Sequence, residues 1–80
     1  MNCLIKNINR IHTTEMGLTR IKNNLNLDSF DVVDYCIDKI LNENTLIYKK
    51  GKNWYCEIEN IRITINSNSY TIITAYFINK

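Results

Sequence analysis

The sequence predicts an α+β domain, with two to three N-terminal helices packed on one face of a four-stranded antiparallel meander. Three observations carry that expectation. Apolar residues in the first half recur at helical spacing, and beyond about residue 45 their period changes from 3.6 to 2. The second half is punctuated by short turn signals at Lys50-Gly51, Glu59-Asn60 and Asn66-Ser67-Asn68-Ser69, which join neighbouring strands as hairpins. Helices followed by a run of strands is the order of an α+β domain. The 80 residues form one domain, 1–80, because so short a chain does not build a second core. Its helical half covers about 2–42 and its sheet half about 45–78.

Leu4, Ile5, Ile8 and Ile11 predict a short amphipathic helix over 2–11, interrupted by His12-Thr13-Thr14. Thr14 is placed as N-cap of a second helix over 14–25, with Glu15 in the first turn where an acid suits the helix dipole. Leu18, Ile21 and Leu25 form its apolar stripe, and Gly17 within it points to close approach of another backbone. A third helix follows the break at Asn26-Leu27-Asp28, capped by Asp28 or Ser29. It buries Phe30, Val33, Cys36, Ile37, Ile40 and Leu41 and leaves Asp31, Asp34 and Asp38 as a solvated face. The first strand is Leu46 to Lys49. In the second, Trp54, Cys56 and Ile58 point inward, and in the third Ile61, Ile63 and Ile65 do so. The fourth runs from Tyr70 to about Ile78, with Thr71, Ile73, Ala75 and Phe77 inward.

Composition narrows the chemistry. The net charge of +2 is mild, so phosphate contacts have to come from local clustering. The cluster available is Lys49, Lys50 and Lys52, with Arg10 and Arg20 as further cations; its plain alternative is a solvated hairpin tip. The three cysteines lack a C-x-x-C pair and there is a single histidine, so neither a zinc site nor any other metal or cofactor is expected. A reducing, cytoplasmic setting fits the cysteines. Lys6, Asn7, Asn9 and Arg10 break up any signal-like apolar run, and no stretch reaches the ~20 apolar residues of a membrane span. No membrane partner is expected.

The outward side chains of the sheet are the unusual feature: Tyr55, Glu57, Arg62, Thr64, Asn66, Tyr70, Thr74 and Tyr76. Cations, hydroxyls and aromatic faces are the groups that hold phosphates and bases. Metal-independent RNA cleavage needs a base for the 2′-hydroxyl, an acid for the leaving oxygen and cations around the phosphate. His12 is the one side chain with an ordinary pKa near neutrality and is the candidate acid or base. Arg20 and Arg62 are candidate phosphate clamps, and Lys52 an added point charge. Thr74 joins them as a catalytic candidate; Tyr70, Thr74 or Tyr76 would orient the phosphate or replace the second acid. Lys49, Lys50, Tyr55, Asn66, Tyr70 and Tyr76 are the candidate binding residues. Each has a plain structural counterpart. His12 also suits a cap on the first helix, Arg20 a surface position, and Trp54 the core.

Three stretches resemble a small bacterial domain family of unknown function over nearly the whole chain. They are His12-Thr13-Thr14-x-x-Gly17-x-x-Arg20-Ile21-x-x-Asn24-Leu25, Gly51-Lys52-Asn53-Trp54-Tyr55 and Ser69-Tyr70-Thr71-Ile72-Ile73-Thr74-Ala75. In that family's pattern the last stretch continues into histidine, where this chain has Tyr76. Element order, with a His or Arg before the sheet and a Thr in the last strand, is similar to the barnase–EndoU–colicin–RelE group of metal-independent ribonucleases, several of them toxins, which implies RNA as substrate. Two readings follow: a small ribonuclease or toxin-like effector acting on RNA, or a non-catalytic binding module such as a phage-type inhibitor that blocks a protein or nucleic-acid-processing complex. A third is a homodimer formed by pairing the final strand at the sheet edge.

Overall fold

The computed structural model describes residues 3–27 and 31–78. Its elements are α1 (Cys3–Lys6), a 3-10 turn (Ile8–Arg10), α2 (Glu15–Leu25), α3 (Val32–Leu41), β1 (Leu46–Lys50), β2 (Asn53–Ile58), β3 (Ile61–Asn66) and β4 (Ile72–Phe77). The strands form one antiparallel sheet in the order β1-β2-β3-β4, so the chain is an α+β domain with its helices first.

The first helix is shorter than its apolar spacing predicts. It stops at Lys6 and re-forms as the 3-10 turn, with the Arg10 N–H donating to the Asn7 carbonyl. A helix of ten residues has little stability of its own, and asparagine favours local turns over helix interiors. α2 begins where expected: Thr14 Oγ1 accepts from the Gly17 N–H at 3.0 Å. α3 is capped differently. Asp31, expected on the solvated face, accepts from the Val33 and Asp34 N–H groups. The predicted caps Asp28 and Ser29, and Phe30 with them, lie outside the described residues. Val32 is buried, and Leu41, expected inside, is exposed.

The core is one cluster between helices and sheet. Leu4, Ile21, Leu25, Val32, Cys36 and Ile40 meet Cys56, Ile61, Ile63, Ile65, Ile72 and Ala75, with Trp54 packed at its margin. Hairpin chemistry sets the register. Gly51 takes φ 64° in the β1–β2 turn, and Glu59 and Asn60 both take positive φ in the β2–β3 turn, as two-residue hairpin turns favour.

β4 departs from simple alternation. Thr64 pairs with Thr74 but Ile65 pairs with Ile72, which leaves Ile73 as the extra residue of a bulge. The bulge reverses the phase of everything before it. Ile72 is therefore buried in place of Ile73, Thr71 turns outward, and Tyr70 turns inward to 6% exposure. The predicted inward set of Thr71 and Ile73, and the outward position of Tyr70, are corrected by this one inserted residue. Phe77 keeps the inward phase opposite Ile61 but stands exposed at the sheet's end. Tyr70 holds φ 60°, costly for a side chain of its size, while its ring is buried beneath the Arg10 guanidinium, 4.6 Å from the ring centre.

The free side of β4 is occupied by the segment leading into α2. His12 pairs with Thr71 as a short parallel bridge. Its N–H donates to the Tyr70 carbonyl, and its carbonyl accepts from the Ile72 N–H at 2.7 Å. Thr13 Oγ1 donates to the Ile72 carbonyl at 2.9 Å, and Asn24 Nδ2 donates to the Ala75 carbonyl at 3.2 Å. α2 thus lies along the edge strand, and Gly17 lets it approach. A Cβ on Gly17 would overlap Thr13 Oγ1 and sit 3.5 Å from the Ile72 carbonyl oxygen.

Gly17→Ala tests this contact. In an ordinary helix the change stabilises by roughly 1 kcal/mol. Here the added methyl displaces the Thr13 hydroxyl and strands the Ile72 carbonyl, a loss of about 1–3 kcal/mol. The expected outcome is a lower urea midpoint for Gly17→Ala alone. In a Thr13→Ala background the same change becomes neutral or stabilising.

Candidate functional site

With the helices on one face, the opposite face of the sheet is open. The strand register sorts its side chains into three rows. Nearest the Gly51 turn lie Lys50, Asn53 and Asn66, and the Asn66 N–H donates to the Thr71 carbonyl, extending the row to Thr71 and His12. The middle row is Tyr48, Tyr55, Thr64 and Thr74. The far row is Leu46, Glu57, Arg62 and Tyr76.

The far and middle rows are tied by a string of hydrogen bonds spanning all four strands. Tyr48 Oη donates to Glu57 Oε2 at 2.6 Å, and Arg62 Nε donates to the same oxygen at 3.0 Å. Arg62 Nη1 donates to Tyr76 Oη at 3.2 Å. The Tyr48 and Tyr55 rings stack with centres 5.4 Å apart and 22° between their planes. Thr64 is buried at the middle of the face. The face is thus a fixed surface of aromatic rings around one neutralised ion pair.

Charge on the string follows from these contacts. The hydrogen bond from Tyr48, with help from Arg62, holds the Glu57 carboxyl below its ordinary value. The same bond to Glu57 pushes the Tyr48 phenol up, and Arg62 is held more firmly protonated by its bonds to Tyr76 and Glu57. Glu57 is therefore an anion at neutral pH.

His12 stands at the corner of the face. Its Nδ1 lies 2.8 Å from the Arg10 carbonyl oxygen, which only accepts, so Nδ1 carries the proton. In the neutral ring Nε2 accepts from Thr71 Oγ1 at 3.0 Å, and Ser69 Oγ lies 2.8 Å from the same threonine oxygen. His12 does not reach α1, but its Nδ1–H takes the carbonyl of Arg10 at the end of the 3-10 turn, which is the capping role expected of it at the end of the first helical segment.

Seven of the residues singled out from sequence share the open face: His12, Lys50, Tyr55, Arg62, Asn66, Thr74 and Tyr76. The catalytic set within them is dispersed. Strand rise and spacing put the His12 and Arg62 backbones ~16 Å apart, and Arg62 turns toward Glu57 and Tyr76. Asn66 spends its Oδ1 on the Asn68 and Ser69 N–H groups, which fixes the β3–β4 turn. Thr74 Oγ1 lies 3.5 Å from the Asn24 amide. Lys49 shares the helix-side register with Trp54, although its side chain is exposed. Lys52 sits in the turn, where its carbonyl accepts from the Ser67 N–H. Arg20 is on α2 beside Met16 and Asn23, away from the sheet face. Tyr70 is buried.

Tyr48 and the role of Glu57 were not picked out from sequence. Tyr48 was identifiable, since Ile47 before it is apolar and strand alternation then turns Tyr48 outward. The two thiols of Cys36 and Cys56 are buried in the core, and burial pushes both up to about 12, so they are protonated and inert.

The Glu57 string sets an acid dependence. Its carboxyl has a folded-state pKa below the unfolded value, so its stabilisation is complete above the ordinary pKa of about 4.3 and is lost as pH falls through the lower folded value. Glu57→Gln is expected to lower stability at neutral pH and to flatten the acid limb below about pH 4.3. Urea midpoints of the two proteins across pH should converge in acid.

Among the described residues no helix is long and apolar enough to cross a membrane. No curated protein and no solved structure matches the chain. A family model matches residues 5–76, which span the docking segment, all three hairpin turns and the whole open face. The chain belongs to the family described as Protein of unknown function (DUF3781).

Proposed function

We propose that the open sheet face binds single-stranded RNA without cleaving it. The observation that carries this reading is the stacked Tyr48–Tyr55 pair, with Tyr76 in the next row, on an uncovered antiparallel sheet rimmed by Lys50. Lys49 and Lys52 extend the cationic rim at the same end. Single-strand binding combines aromatic platforms for bases with nearby cations for the backbone. A net charge of +2 suits a modest, salt-sensitive affinity.

Two features favour binding over catalysis. His12 and Arg62 are too far apart to act on one phosphate. The Glu57 carboxylate on Arg62 also repels an incoming phosphate at the place where the clamp would act. The protein-binding reading draws on the tyrosine and arginine content of the face, since both are enriched at interface hot spots. A homodimer through β4 has less support, because the edge groups of Tyr70, Ile72 and Ala75 already have partners.

Fluorescence anisotropy with a labelled oligouridylate tests the proposal. Tyr55→Ala is expected to weaken binding about tenfold, the loss of one stacked base. With three lysines on the backbone, the slope of log K against log salt is expected to be roughly −2. The oligonucleotide should stay intact in EDTA, with or without His12→Ala. Binding that ignores Tyr55→Ala, or no binding at all, would count against the proposal and direct attention to a protein partner.

A further inference from the structure

We infer that the groove beside Glu57, at the far end of the open face, takes a guanine base. This inference rests on the RNA-binding reading and names the base that its far row selects.

A carboxylate offers about four acceptor sites, two on each oxygen. Both sites on Glu57 Oε2 are filled, one by the Tyr48 hydroxyl and one by Arg62 Nε–H. Oε1 receives no hydrogen bond from another described residue, so a fixed anion presents two open acceptor sites. Its neighbours hold it in place from both sides, which lowers the ordering cost of using it.

Glu57 lines a groove of about 490 Å³. Leu46, Ile58 and Ile78 supply its apolar walls, and Asn42, Asn44, Asn60 and Glu59 its polar ones, the Glu59 carboxylate being paired with Lys39. Leu46 is 59% exposed and Ile78 36%, so their surfaces are available to a planar ring. Its volume is that of a small-ligand site, and its lining is as polar as it is apolar, so a ligand there is held by hydrogen bonds as much as by apolar contact.

A carboxylate selects among bases by the donors it can collect. Guanine alone carries two adjacent donors on its Watson–Crick edge, N1–H and the N2 amino group, and these converge on Oε1 as a bifurcated pair. Its O6 lies beside them and accepts from an asparagine amide of the groove. Adenine and cytosine offer one amino group flanked by an acceptor, and uracil one N–H between two carbonyls. Each of these sets a lone pair toward the anion. Arg62 acts as a positioning residue here: it orients Glu57 and offsets its charge.

Anisotropy on one octamer series tests this: all-uridine, and the same strand with a central guanosine, inosine or adenosine, alongside guanosine monophosphate as a free competitor. Inosine keeps N1–H and O6 but lacks the N2 amino group. The expected order is guanosine, then inosine, then adenosine and uridine together, with guanosine about tenfold or more over uridine. In Glu57→Gln, checked for a native fold by its amide spectrum, the guanosine-to-uridine ratio should collapse toward one. Equal binding of all four strands would overturn the guanine site while leaving the RNA-binding face standing. A guanosine preference that survives Glu57→Gln would overturn the assignment to this groove. Guanosine monophosphate binding without binding of any strand would keep the groove and overturn the RNA reading. No binding by any of them would overturn both.

Discussion

The pairing of His12 and Thr13 with the edge of β4 is the constraint on which the rest of the domain depends. Two backbone hydrogen bonds join His12 to Tyr70 and Ile72, and the Thr13 hydroxyl takes the Ile72 carbonyl. The next residue, Thr14, caps α2. A run of three residues therefore closes the sheet edge, starts the helix and fixes the helix's position along the strand. Asn24, near the other end of α2, repeats the edge contact at Ala75. An exposed strand edge invites pairing with other chains, and here side chains and backbone of the same chain fill it. Gly17 leaves the room that the Thr13 hydroxyl occupies on its way to that edge, which a Cβ would overlap.

The same arrangement leaves the other face of the sheet uncovered. All the described core residues lie on the helix side, so the tyrosines of β1, β2 and β4 face outward with no packing partner above them. Their positions are nonetheless fixed. Glu57 gathers Tyr48 and Arg62, and Arg62 reaches Tyr76, so one string crosses four strands. Ion pairs at such exposure add little to stability. Their consequence is geometric: ring planes and a carboxylate are held ready, with the charge of the arginine already answered. A phosphate finds little attraction at the centre of this face and more at its lysine rim, whereas flat, uncharged bases suit the centre. That division of labour is the physical basis for reading the face as a binding surface.

Much of this was legible in the sequence because it depends on local rules. Thr14 with Gly17 reads as a helix start, Gly51 and Glu59-Asn60 as hairpin turns, and the change of period near residue 45 as the boundary between helices and sheet. The outward positions of Tyr55, Glu57, Arg62 and Tyr76 follow from alternation. What failed to show was non-local. The bulge at Ile73 inserts a residue into a run, Tyr70 to Phe77, whose β-branched and aromatic residues suit either phase, so alternation alone puts Tyr70, Thr71 and Ile73 on the wrong faces. The break of the first helix at Asn7 was hidden by an apolar spacing that both helix types satisfy. The catalytic grouping of His12 with Arg62 looked plausible as a set of residue types. Only the register shows that one lies at the hairpin end of the face and the other at the far end. His12, Thr13 and Gly17, chosen as motif residues, turn out to have a structural task that explains their spacing.

We propose that the open sheet face is the working surface of the domain. The most direct measurement is an amide chemical-shift titration of the labelled protein with a short single-stranded RNA. The shifts are expected to concentrate on Tyr48, Tyr55, Thr64 and Tyr76 and on the Lys50 rim, with α2 and α3 unmoved. Shifts centred on the outer surface of α2 around Arg20, or a spectrum unchanged at saturating RNA, would contradict it.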